Sequence, residues 1–114
     1  INTILGMKID VHTRRPVLAN NVGGLSGPAV RPVAVRMVWQ AANAVKLPII
    51  GMGGIMSGDD AVEFILAGAS AVAVGTGMFK NPVLPVDVKN GIAHYMKKNR
   101  IESLSELVGA VKVY

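Results

Sequence analysis

Pro48-Ile49-Ile50-Gly51-Met52-Gly53-Gly54-Ile55 is the stretch that decides the fold of this chain. A short apolar run that ends on glycine reads as a buried strand. Ala71-Val72-Ala73-Val74 repeats the pattern and ends at Gly75. Neither run alternates with polar residues, which favours a parallel sheet covered on both faces.

Helical patterns flank the two strands. Upstream, Ala34, Val38, Ala41, Ala42 and Val45 recur on one helical face. Pro28 or Pro32 can open that helix, because proline fits the first turn. Between the strands, Ser57 is a candidate N-cap, Asp59 and Asp60 suit the positive helix end, and Gly68 is a stop. After Pro82 and Pro85, Val88, Ile92, Tyr95 and Met96 mark a third amphipathic helix. Ser103 with Glu106 fits a capping box, predicting a last short helix with Leu104, Leu107, Val108 and Val111 as its stripe.

The predicted order is loop, helix, strand, helix, strand, helix, helix. Alternating strands and helices imply right-handed βαβ units. Two strands cannot hide both of their faces, and a (β/α)8 barrel needs about 250 residues, more than twice this chain. The expected class is therefore α/β: the C-terminal portion of a (β/α)8 TIM barrel, strands 7 and 8 with flanking helices, incomplete as given. Residues 1–114 read as part of one barrel domain. The first residue is Ile, which fits a processed product or a piece of a longer protein.

Both predicted strands run straight into glycine-rich turns. Gly51-Met52-Gly53-Gly54-Ile55 lets the backbone approach a ligand closely and reach positive φ. Successive N–H groups, helped by a helix N-terminus, can then wrap a phosphate. A tight βα turn that needs glycine for geometry alone would read the same. Gly75-Thr76-Gly77-Met78-Phe79 adds a second such turn with a hydroxyl. Two on consecutive strands are more specific than one, because barrels commonly hold phosphate in the loops after strands 7 and 8. Asn21-Val22-Gly23-Gly24-Leu25-Ser26-Gly27-Pro28 also enters a helix, and Ser26 can meet a ligand or simply cap. Asn2-Thr3 offers donors and acceptors suited to a small planar substrate, or forms an ordinary turn.

Other chemistries lack their residues. The chain has 114 residues, 51% hydrophobic and 17% charged, as a folded α/β core requires. There is no cysteine, hence no disulfide, thiolate nucleophile or Cys-ligated cluster in this chain. That fits a cytoplasmic setting. The net charge is +5, yet the basic residues are scattered and aromatics are only 4%, which argues against nucleic acid. No run reaches the roughly 20 apolar residues of a membrane span, and no signal peptide is evident. His12 and His94 have no partner at metal or catalytic spacing and read as surface residues. Arg14-Arg15 reads as an exposed turn, and Lys97-Lys98-Asn99-Arg100 as a helix C-terminus.

Taken together, these stretches resemble the C-terminal part of dihydroorotate dehydrogenases. The resemblance runs through Asn2-Thr3-Ile4-Leu5-Gly6-Met7-Lys8-Ile9-Asp10, Arg15-Pro16-Val17-Leu18-Ala19-Asn20 and Gly23-Gly24-Leu25-Ser26-Gly27-Pro28. It continues through residues 48–55 and 67–76, so that it covers nearly the whole chain. The Gly-Met-Gly-Gly and Gly-Thr turns occur across many FMN barrels. The Asn-Thr pair and the Gly-Gly-Leu-Ser-Gly-Pro loop narrow the likeness to the NAD-linked class 1B form.

The resemblance implies FMN-dependent oxidation of dihydroorotate to orotate in pyrimidine biosynthesis. Asn2 and Thr3 would contact the pyrimidine, and Ser26 and Gly27 would border FMN. Gly53, Gly54, Gly75 and Thr76 would hold its phosphate. The catalytic base of the class, a cysteine, would lie upstream of residue 1, so that residues 1–114 alone would be inactive. Partners implied are the other part of the barrel, a second copy as a homodimer, and an electron-transfer subunit carrying FAD and a 2Fe-2S cluster. No metal, membrane or nucleic acid is expected at this chain. Two alternatives stay open: another FMN barrel of the dihydropyrimidine dehydrogenase kind, or a non-catalytic phosphate-binding fragment.

Overall fold

A computed structural model describes residues 3–114. Its centre is a pair of parallel strands, β5 (Ile50–Met52) and β6 (Ala71–Ala73), paired Ile50 to Ala71 and Met52 to Ala73. Both predicted strands are present, and parallel as expected, but β5 starts only at the end of the run 48–50 and continues through Gly51 and Met52, which the sequence reading gives to the glycine turn.

Three longer helices accompany this pair: α1 (Arg31–Ala44) and α2 (Gly58–Leu66) pack on it, and α4 (Leu84–Lys98) packs on α2. A short helix α3 (Gly77–Lys80) starts directly after the β6 loop. The predicted start signals act as expected. Pro28 opens a 3-10 turn over Pro28–Val30, and Pro32 sits in the first turn of α1. The Ser57 hydroxyl accepts the Asp60 N–H at 3.2 Å. Gly68, at φ 119°, ends α2: its N–H donates to Ile65 O and the next N–H to Phe64 O. That is a Schellman stop, which requires the left-handed conformation glycine adopts freely.

The core lies between β5–β6 and the helices. Phe64, Ile65 and Leu84 are its largest fully buried side chains. Burying each contributes about 1.5–3 kcal/mol. Ala34, Val38, Ile55, Ala61 and Val88 complete the contact with Phe64 and Leu84. The Phe64 ring presses on the Gly51 backbone, where an added Cβ would lie 2.7 Å from its Cδ1.

Four differences from the sequence reading stand out. First, the segment before α1 is not a simple loop. β1 (Leu5–Gly6) pairs antiparallel with β4 (Gly23–Gly24), and β2 (Ile9–Asp10) pairs with β3 (Arg15–Pro16) inside it. Two-residue strands leave no periodic signal to read. Second, the sheet is covered on one face only: Gly51 is buried, whereas Ile50 is 60% and Met52 42% exposed. Third, the α1 face is buried at Ala34 and Val38 and half-buried at Ala42, which packs against Gly68, but exposed at Ala41 and Val45. Fourth, the capping box at Ser103 and Glu106 starts a single 3-10 turn, Leu104–Glu106, not a helix. Leu107 is buried beyond it, while Val111 is exposed.

His12 and His94 are both exposed, as read. Arg14, at φ 56°, lies in the exposed turn between β2 and β3, whereas Arg15, also exposed, is the first residue of β3 and pairs with Asp10. Among the described residues, no helix is long and apolar enough to cross a membrane.

Candidate FMN phosphate site

The pairing of β5 with β6 determines the site. Met52 and Ala73 are register partners, so the loops that leave them start about one strand spacing apart, ~5 Å. Gly53 and Gly54 follow β5 at φ 127° and 75°. Gly75 and Thr76 follow β6 and enter α3.

A third loop joins them. The β1–β4 pairing and the Leu25 N–H to Ile4 O hydrogen bond of 2.7 Å bring residues 24–26 beside residues 3–5. Thr3 and Gly24 are in contact there: a Cβ on Gly24 would lie 3.1 Å from Thr3 Cγ2. The loop then touches the glycine turn, since a Cβ on Gly54 would lie 2.4 Å from the Gly27 carbonyl oxygen. Only glycine at position 54 permits that approach.

One cleft of about 440 Å³ results, lined by Thr3, Ser26, Gly27, Gly53, Gly54, Gly75 and Thr76, among others. Every predicted site residue that the structure describes is on this wall. Asn2 lies outside the described residues. The volume falls within the range of sites for small ligands and cofactors.

The lining suits a phosphate carried on a flat apolar group. Its polar side chains are Thr3, Ser26 and Thr76, and none of its side chains is charged. Among the described residues, no turn or loop hydrogen bond uses the N–H of Gly53, Gly54, Gly75 or Thr76. The Thr76 hydroxyl makes no capping bond to α3. A Cβ on Gly27 or Gly75 would meet nothing within 4 Å, so both glycines border open space. Val30, Met52, Ile55 and Val74 supply the apolar part of the wall.

The helix end contributes differently from the sequence reading. Ser57 caps α2, and the Asp60 carboxylate accepts the Met56 N–H at 2.9 Å. The positive end of α2 thus faces its own cap, and the loop amides are the groups left to meet an anion. Asp60 is also paired with Arg31 of α1, a residue that sequence reasoning missed. Glu63 lies 3.5 Å from the Arg31 Nε and is more exposed. Twenty-nine residues separate Arg31 from Asp60, and no local spacing signals such a pair.

No group of three or more His, Cys, Asp or Glu able to hold a metal ion exists among the described residues. Nothing in the cleft wall titrates near neutral pH. Among its described residues the wall carries no general base.

Comparison with known proteins fits this geometry. Residues 1–96 match the family model described as dihydroorotate dehydrogenase. The chain belongs to the dihydroorotate dehydrogenase family. It is 63% identical over 111 residues to the dihydroorotate dehydrogenase B (NAD(+)) catalytic subunit of Alkaliphilus metalliredigens, covering 97% of this chain and 37% of that protein. It is 57% identical over 110 residues to the subunit of the same name from Brachyspira hyodysenteriae, covering 96% and 36%. The crystal structure of the Eimeria tenella dihydroorotate dehydrogenase in complex with ferulenol superposes with a TM-score of 0.78 at 28% identity. That superposition covers 96% of this chain and 29% of the other. The chain therefore spans just over a third of the curated dihydroorotate dehydrogenases it matches.

Proposed function

We propose that residues 1–114 are the C-terminal portion of a (β/α)8 dihydroorotate dehydrogenase, with β5 and β6 as barrel strands 7 and 8. In this reading the segment supplies the FMN phosphate site and one side of the pyrimidine site of an enzyme that oxidises dihydroorotate to orotate. The observation that carries it is the convergence of three glycine loops on one uncharged cleft. The exposed apolar face of β5 supports it too, because strands 7 and 8 of a closed barrel turn one face inward on the remaining strands.

The backbone amides of Gly53, Gly54, Gly75 and Thr76 hold the phosphate, joined by the Thr76 hydroxyl. Preorganised amides in a cleft without competing charges bind an anion at little reorganisation cost. Ser26 and Gly27 border the flavin, with Val30, Met52 and Val74 excluding water from its apolar surface. Thr3, beside Gly24, faces the substrate end, and Asn2, which precedes it in sequence, is assigned a contact with the pyrimidine from the family resemblance. Bound FMN supplies the two-electron acceptor. The residues of this segment position and desolvate; the proton at the substrate carbon is taken by a base from elsewhere in the protein.

The relatives' description as a catalytic subunit supports a separate electron-transfer partner. We assign that role to a subunit with FAD and a 2Fe-2S cluster, joined to a homodimer of the catalytic chain in the cytoplasm. The names of the relatives favour dihydroorotate over the dihydropyrimidine alternative.

The full-length protein tests the reading directly. It should purify yellow, release FMN on denaturation, and lose flavin absorbance when dihydroorotate is added without oxygen. A colourless protein that takes up no FMN sinks the proposal, and points to the non-catalytic fragment. Residues 1–114 alone should form no orotate above a protein-free blank.

A further inference from the structure

We propose that Arg31 and Asp60 form a positioning pair for the phosphate loop: Asp60 holds the loop, and Arg31 cancels the charge that Asp60 would otherwise turn on the phosphate. The proposal rests on reading residues 53–54 and 75–76 as the phosphate site.

Asp60 stands directly behind the glycine turn. Its Oδ2 accepts the Met56 N–H at 2.9 Å, which anchors the far end of residues 53–56. Its own N–H is held by Ser57. A carboxylate in this place holds the loop well and has the wrong sign for an anion site. Its side chain is only 12% exposed, so that water screens it weakly. Arg31 answers this by donating from Nη1 to Asp60 Oδ1.

Arg31 is also well placed to couple two loops. It opens α1 four residues after Gly27, and its Cβ lies 3.0 Å from where a Cβ on Gly54 would be. The ion pair therefore ties the Ser26–Gly27 loop to the end of the Gly53–Gly54 loop, across the contact of Gly27 O with Gly54. Neither Arg31 nor Asp60 lines the cleft. They act through the backbone they hold and the field they balance.

The test compares FMN with riboflavin, which has the same ring system without the phosphate, on the full-length apoprotein. Arg31→Met should weaken FMN about tenfold, as an uncompensated carboxylate near an anion requires, and leave riboflavin within about twofold. Added salt should recover part of that loss by screening. Arg31→Lys should keep the FMN preference, because the charge is restored. Asp60→Asn, isosteric and unable to serve both Met56 and Arg31 with one oxygen, should weaken FMN without recovery in salt. This variant keeps the test readable if Arg31→Met does not fold. Parallel losses for both ligands, or no loss for either, overturn the positioning role. A wild-type protein that binds riboflavin as tightly as FMN removes the phosphate site itself, whatever the variants do.

Discussion

Gly58, the first residue of α2, and Gly91, in the middle of α4, meet backbone to backbone. A Cβ on Gly58 would lie 2.5 Å from the Gly91 Cα, and one on Gly91 would lie 2.6 Å from the Gly58 Cα. α4 is thereby seated against the start of the helix that follows the glycine turn. Leu84, at the start of α4, is also close to the second loop: a Cβ on Gly77 would lie 2.5 Å from its Cδ2. The helix seat and the site share one packing unit.

Gly91→Ala should destabilise the full-length protein by about 1–3 kcal/mol, the usual range for overpacking against backbone that cannot yield. Gly58→Ala should do the same. Because the two changes act on one contact, the double variant should cost less than the sum. Urea denaturation midpoints at unchanged slope measure this.

Gly75→Ala and Gly54→Ala should part company. The added methyl at 75 meets no atom within 4 Å, so that the melting temperature should hold while FMN affinity falls about tenfold as the methyl enters the cleft. At 54 the methyl meets the Gly27 carbonyl, and φ is 75°. There stability should fall by about 2 kcal/mol or more along with binding. Calorimetry and flavin titration on both variants separate the outcomes.

Arg100→Gly should stabilise. Arg100 sits at φ 56° just past α4, with its N–H on Lys97 O and the Ile101 N–H on Met96 O. That is the same helix stop as at Gly68, made with a residue that pays for the left-handed conformation. Relieving it should raise stability by about 0.5–1 kcal/mol, offset in part by the freedom glycine gains when unfolded. Thermal denaturation reads the sign.

Asp10 makes the turn between β2 and β3 sensitive to acid. Its carboxylate accepts the His12 N–H at 2.9 Å and the Thr13 N–H more weakly, and these bonds hold its pKa below the ordinary value of 3.8. A depressed carboxylate pKa means the contribution is present above the unfolded value and lost as pH falls through the folded one. Protection of the His12 and Thr13 amides, their exchange measured relative to an unstructured amide at the same pH, should therefore be lost only below the ordinary carboxylate range. Asp10→Asn should make that protection largely independent of pH there.

Much of the architecture was open to reading because it rests on local rules. Apolar runs of strand length, Ser57 three residues before Asp60, Gly68 after Leu66, and prolines at helix starts each leave a pattern within a few positions. The parallel pairing followed from the lack of polar alternation. The ribbon of residues 5–24 was not legible, since its strands are two residues long and its register comes from contacts across the loop. Nor was the short end of the chain, where a capping box gave one 3-10 turn and the tail instead hydrogen-bonds to Ile65 and Leu66.

For the site, the division follows the range of the interactions. Composition and glycine placement alone determined that this chain presents backbone amides after two strands and carries no cysteine or clustered acids. Only the tertiary structure decided that Thr3, Ser26 and the two glycine turns share one wall, and that Arg31 balances Asp60 behind it. Turn geometry is encoded within a few residues, whereas a cleft and an ion pair across 29 positions exist only once strands and helices have packed.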